Sequence, residues 1–306
     1  MARNIKDLAV ALTVMASVGY DAADNTTAAV SLSPDPVDYS RDVYGGSLRG
    51  MRFGLIQGFF NFTSSNETTP VNNAMGDMVA ELESAGATVV PINDTVYNAT
   101  SIAVSDVLTS EYSELMDAYL QGSSGNIPPT LKDLYSSQNF LVIPSQYDYV
   151  NTALKSSTSN ASYAVNKLRI QNLTTVLRTT FSVHKLDALI YPEQKNLVVK
   201  LGSPSQSGRN GILAALTGFP VLVVPGGFSP ASTDAPIGVP IGMEILGLPW
   251  SEGKLLNIAS HISNIKTVRR MPSFANASVE TAPYDSVPSI IPDTSEIPKS
   301  YPIGIL

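Results

Sequence analysis

The chain has 306 residues, 43% of them hydrophobic and 15% charged. That charged fraction lies below the roughly 25% usual for soluble domains, which excludes disorder throughout and a charged coiled coil. Lys+Arg 19 against Asp+Glu 26 leaves a net charge of −7, so no global positive field exists to attract nucleic acid. The absence of cysteine and the presence of only two histidines exclude disulfides, thiolate nucleophiles and Cys-ligated metals, and leave little for a His-rich metal site.

The first apolar stretch, Leu8 to Val18, is interrupted by Thr13 and Ser17 and falls short of the roughly 20 residues that a membrane span needs. It follows Arg3 and Lys6, as the core of a secretory signal would. Against that reading, Ile5, Leu8, Ala9, Leu12, Met15 and Ala16 keep helical spacing, Asp7 interrupts the basic region, and Gly19 stands where a C-terminal cap belongs. An amphipathic helix is the better reading. Asp21 to Gly50 is rich in Asp, Ser, Pro and Gly, as an irregular surface connection would be.

Met51 to Phe60 reads as a strand. Pro70 then opens a helix whose Met75, Met78, Val79 and Leu82 share a face, Gly86 caps it, and Thr88 to Ile92 is the next strand. Strand, helix and strand in that order form a βαβ unit, which demands parallel strands and a right-handed crossover. Val104 to Tyr119 and Tyr147 to Val183 read mostly as helix, with Pro128–Pro129 marking a break. Leu186 to Tyr191 and Pro220 to Val224 are short buried strands flanking a helical Gly211 to Leu216. Val239 to Leu248 is a further strand, and Ser251 caps a last helix, Lys254 to Ile265. The expectation is one α/β core over residues 1–270, followed by a Pro-rich, extended or poorly ordered tail over 271–306.

Eight Asn-x-Ser/Thr sequons begin at Asn25, Asn61, Asn66, Asn93, Asn98, Asn160, Asn172 and Asn276, about twice the number that chance supplies in so polar a chain. They read either as polar loops without glycans or as a sign that the parent protein passes through a secretory pathway.

The residues alone assemble no active site. Gly122–Ser123–Ser124–Gly125 lacks the strand before it and the helix after it that expose a nucleophilic serine, and reads as a loop. Gly45–Gly46–Ser47 precedes a strand and Gly226–Gly227 follows one without opening a helix, so neither presents a phosphate site, and no G-x-G-x-x-G or Walker loop is present. His184 and His261 read as structural, and Glu81 and Glu83 as solvated acids on a helix face.

A resemblance carries the reading further. Met1–Ala2–Arg3–Asn4–Ile5–Lys6–Asp7 resembles the end of the Gly-Pro-Met-Ala-Arg-x-x-x-Asp motif of the amidase signature family. Gly19–Tyr20–Asp21–Ala22–Ala23–Asp24, Leu48 to Gly54 and the Glu81 to Val90 stretch follow in that family's order. Farther on, Leu186 to Pro192, Asn210, Leu216–Thr217–Gly218–Phe219–Pro220, Val223 to Phe228 and Val239 to Met243 resemble its C-terminal run. The resemblance implies part of an α/β/α sandwich with a mixed, largely parallel central sheet whose N-terminal half is missing, and a parent enzyme that hydrolyses a small-molecule amide without a cofactor. The family works with a nucleophilic serine, a bridging serine and a lysine base, a variant of triad logic. These precede the motif at Met1, so the resemblance assigns no catalytic, cofactor-binding or metal residue to this chain. Met1 is expected to correspond to an internal methionine of a longer protein. The competing readings are a non-catalytic binding or scaffold module derived from the same fold, and an independent hydrolase using His184 or His261.

Overall fold

A computed structural model describes residues 1–17, 19–22, 24–29, 37–137, 144–200, 203, 206–266 and 268–270. The Pro-rich segment expected over 271–306 lies outside the described residues. In chain order the elements are α1 (Ile5–Ala16), β1 (Arg52–Ile56), α2 (Thr69–Ser84), β2 (Thr88–Ile92), α3 (Ala99–Ala103), α4 (Leu108–Gln121), α5 (Leu131–Ser137), α6 (Pro144–Ala153), α7 (Ala161–His184), β3 (Ala188–Pro192), α8 (Ile212–Thr217), β4 (Val221–Phe228), β5 (Pro240–Leu246) and α9 (Glu252–Ile265). They fall into two compact units, one of Met1–Ile102, Leu173–Leu197 and Gly208–Arg269, the other of Ala103–Asn172 and Val198–Ser207 with the residues from Arg270.

The first unit is built on a five-stranded sheet of order β2-β1-β3-β5-β4. β1 pairs in parallel with β2, as the βαβ pattern requires, and also with β3, while β5 runs antiparallel to both β3 and β4. The sheet is therefore mixed, with a parallel centre. Because side chains alternate along a strand, Phe53, Ala188, Ile190, Met243 and Ile245 face one side and pack with Ala9 of α1, Met75, Met78 and Leu82 of α2, and Leu255, Ile258 and Ile262 of α9. Ile56, Leu189, Tyr191 and Leu246 face the other side and meet Leu173, Leu177 and Phe181 of α7 and Leu213 of α8. Helices thus cover both faces, the layering expected of an α/β sandwich.

The N-terminal segment is a helix, as its spacing predicts, and the Asn4 side chain caps it by accepting from Asp7 N at 2.8 Å. The strand expected over Met51 to Phe60 is shorter. It stops at Ile56 and gives way to a single tight turn, Gln57–Phe59, where a Cβ at Gly58 would stand 1.9 Å from the Tyr97 carbonyl oxygen. Only a residue without a side chain permits that approach. β4 is longer than expected and takes in Gly226 and Gly227 through an irregularity between Pro225 and Gly227. A Cβ at Gly227 would lie 2.6 Å from that of Ala74, so this glycine lets α2 lie close on the sheet. Ser251 does not cap α9 with its side chain. Its hydroxyl donates to Leu248 O at 2.6 Å, inside a turn that holds the exposed Trp250 at φ +67°.

One buried hydrogen bond ties α7 to the segment before α3: Tyr97 Oη lies 2.6 Å from Thr180 Oγ1. The Thr180 hydroxyl itself reaches Val176 O at 3.1 Å, so Tyr97 is the donor, and burial pushes its phenol up to about 12. Tyr97→Phe leaves Thr180 its carbonyl partner. We expect it to cost only about 1 kcal/mol in a urea titration.

In the second unit α4 packs against α5 and α6, with Tyr112 and Tyr149 edge to face at 5.4 Å. The helix expected from Val104 begins at Leu108, whose N–H donates to Asp106 Oδ1 at 2.9 Å. The helix expected over Tyr147 to Val183 breaks at Ser156–Ser157–Thr158–Ser159–Asn160. There Glu114 accepts from Thr158 N at 2.9 Å and from the Thr158 and Ser157 hydroxyls, a local hydrogen bonding that competes with the helical ladder.

Candidate active site

β3 is buried along its whole length and runs on into Glu193–Gln194–Lys195. This segment is clipped to residues 208–210 by Asn210 N donating to Glu193 O at 2.9 Å and Lys195 N donating to Gly208 O at 2.7 Å. The clip sets the fully buried Asn210 against the sheet. Its Nδ2 donates to Pro192 O at 2.7 Å and to Phe59 O at 2.8 Å, which fixes the carboxamide orientation and leaves Oδ1 as an acceptor without a partner.

Beside it, Tyr191 on β3 and Glu244 on β5 are directly opposed cross-strand partners. The Tyr191 ring meets Phe59 edge to face at 4.9 Å and 87°. Glu244 is 4% exposed. Burial, aided by the negative charge of Glu193, pushes its carboxyl up to about 7 although Tyr191 acts in the opposite sense. Burial and the facing Glu244 likewise push the Tyr191 phenol well above its ordinary value. The two groups feel each other's charge, yet neither Tyr191 Oη nor Glu244 Oε2 has a well-directed hydrogen-bond partner. Gly211 lies close as well, since a Cβ there would stand 3.4 Å from Glu244 Oε1. Buried polar groups are normally satisfied, and a concentration of unsatisfied ones with displaced pKa values is where a site is sought. The arrangement can orient a hydrogen-bonding group and hold a proton near neutrality.

Ligands of open α/β sheets lie beyond strand C-termini, and this cluster stands at the end of β3. Glu244 and its pairing with Tyr191 are not visible in the motifs. The available signal is one acid inside the otherwise apolar Pro240–Leu246 strand.

The structure separates the remaining candidates. His261 Nε2 lies 2.7 Å from Gly45 O and ties α9 to the loop before β1. His184 ends α7 and contributes its backbone oxygen, which accepts from Arg52 Nε at 2.7 Å. Ser123 Oγ donates to Tyr119 O at 2.9 Å at the end of α4. Glu81 is half-exposed and lies 3.5 Å from Lys266 Nζ, so it is paired where the sequence suggested a solvated acid. Among the described residues no group of three or more His, Asp or Glu side chains could hold a metal ion, and no helix is long and apolar enough to cross a membrane.

Comparison with known proteins bears on this geometry. The Amidase family matches residues 1–256. A glutamyl-tRNA(Gln) amidotransferase subunit from Myxococcus xanthus is 31% identical over 275 residues, which are 85% of this chain and 52% of that protein. The corresponding subunit from Acinetobacter baumannii is 25% identical over 272 residues, 84% of this chain and 52% of its own. The structure of native peptide amidase from Stenotrophomonas maltophilia superposes with a TM-score of 0.70 at 26% identity, covering 90% of this chain and 54% of that one. The chain spans about half the length of the curated relatives it matches. By the extent of the match and the agreement of the fold, the chain belongs to the amidase family.

Proposed function

We propose that this chain is the C-terminal portion of an amide-bond hydrolase, supplying framework and one wall of the pocket while the nucleophile, the lysine base and the oxyanion donors lie on an N-terminal portion outside this sequence. Half-length coverage of the relatives is the observation that carries this reading. Edge strand β4 supports it. Its Leu222 and Val224 are buried beneath helices, but Val221 and Val223 on the opposite face are 38% and 50% exposed, and β4 pairs with only one neighbour among the described residues. An open edge with exposed valines is a surface for another strand or chain. On this reading the N-terminal portion covers β4, and Tyr191, Asn210 and Glu244 back the pocket from behind without touching the scissile bond. The substrate is a small carboxamide.

The test is reconstitution. Purified alone, the chain is expected to be poorly soluble and to release no ammonia or amine from carboxamides; co-expressed with the N-terminal half of a family member, it should become soluble and gain measurable hydrolysis. Turnover by the chain alone, abolished in His184→Ala or His261→Ala, would overturn this assignment.

A further inference from the structure

The sequons are distributed unevenly over the first unit. Asn61 and Asn66 lie between β1 and α2, and Asn93 and Asn98 lie between β2 and α3. β1 and β2 are parallel and in register from Arg52 opposite Thr88 to Ile56 opposite Ile92, so both connections leave the same end of the sheet, on its β2 side. Residues 173–270, which carry β3, β4, β5 and α9, contain no sequon. The edge with exposed valines is therefore bare of acceptor asparagines, while the opposite edge is flanked by four.

Burial separates the four. Asn66, Asn93 and Asn98 are exposed, whereas Asn61 is half-buried. Asn61 also has Oδ1 engaged with Thr63 N at 3.0 Å and its carbonyl engaged with Asn72 Nδ2 at 2.8 Å. Asn98 Oδ1 accepts from Ser101 N at 3.0 Å in the first turn of α3. Thr95, the hydroxyl residue of the Asn93 sequon, is exposed, whereas Thr68, that of the Asn66 sequon, is buried and its hydroxyl is held by Thr63 O and Ser65 Oγ.

We infer that Asn93 is an acceptor site for an N-linked glycan, which stands at the β1–β2 end of the sheet and leaves the β4 edge clear. In the modification, asparagine Nδ2 forms a bond to C1 of the first sugar of a polyprenyl-pyrophosphate-linked oligosaccharide. The bond from C1 to the pyrophosphate oxygen breaks, the lipid pyrophosphate leaves, and the amide gives up one proton to the transferase. Glycans are bulky and hydrophilic and belong on exposed loops. At the end of β2 they also hinder the unpaired pairing groups of that edge from recruiting another chain. The inference stands apart from the hydrolase assignment, because it concerns only a surface asparagine and the secretory machinery.

The full chain, produced behind a cleavable secretion leader in a glycosylating eukaryotic host, should carry sugar at Asn93. Peptide N-glycosidase should remove it without denaturant and leave aspartate at 93, as read by peptide mass spectrometry of both membrane-enclosed and secreted material. Asn93→Gln should remove one glycan's mass. Thr95→Ala should empty Asn93 while Thr95→Ser keeps it occupied, which separates loss of the acceptor from a change in folding. Unmodified asparagine at position 93 in material that has reached the secretory compartment would overturn the inference, whether or not that material is secreted or soluble.

Discussion

Replacing Asn210 with leucine should lower the stability of the first unit by about 4 kcal/mol, measured as a shift of the urea midpoint for the chain or its reconstituted complex. The Asn210 carboxamide is fully buried, and its Nδ2 satisfies two backbone carbonyls, those of Phe59 and Pro192. Leucine has a comparable volume and fills the site, so no large cavity arises, but both carbonyls lose their donor in an apolar setting. Each such loss costs about 1–3 kcal/mol, because the partner has already been taken out of water. Asn210→Asp is expected to be at least as harmful. Ionised, it offers no donor and sets a charge against two carbonyl oxygens; protonated, it can donate to only one of them. A midpoint unchanged in both variants would mean that the clip between residues 193–195 and 208–210 holds without this side chain.

The second large effect is a pH dependence with an unusual sign. Unfolded, Glu244 titrates near its ordinary value of 4.5, and folded it titrates at about 7. Below 4.5 both states are protonated and burial costs little. Between 4.5 and about 7 the unfolded state releases its proton while the folded state keeps it, so stability falls as pH rises. Above about 7 both states are ionised and the penalty is complete, at about 3 kcal/mol. Most paired carboxylates act in the opposite direction. Asp24, Asp38 and Glu114, held below their ordinary range chiefly by hydrogen bonds from Thr26, Ser40 and Thr158 respectively, lose stabilisation as pH falls. The measurement is therefore a difference profile, wild type minus Glu244→Gln. It should slope downward by about 3 kcal/mol from mildly acid to neutral pH and be flat beyond. A flat difference throughout would show that Glu244 ionises in the fold at no cost.

Much of this architecture is legible in the order of residues. The 3.6-residue spacing of Met75, Met78 and Leu82 and the flanking Pro70 and Gly86 place α2. The short apolar runs place β2 within the bounds observed and β3 within a few residues. The differences arise where an interaction distant in sequence overrides a local preference. Phe59 continues an apolar run that looks extended, yet the approach of the Tyr97 carbonyl to Gly58 forces a turn there. Ser156 to Asn160 interrupts a helical pattern because Glu114, more than 40 positions earlier, accepts hydrogen bonds from Ser157 and Thr158. The candidate site is less legible still. Asn210 belongs to a motif that resembles its family, but the two carbonyls it holds lie 18 and 151 positions away. Glu244 is recognisable only as an acid among apolar neighbours. The opposition of Tyr191 and Glu244 depends on the antiparallel register of β3 with β5, which alternation alone does not specify.

The turn between β5 and α9 has a spectroscopic consequence. Trp250 is the single tryptophan of the chain and is 65% exposed while the protein is folded, so its indole already emits from an aqueous environment and denaturation alters that emission little. A molecule settling over the turn would instead dehydrate the ring and move its fluorescence to shorter wavelength.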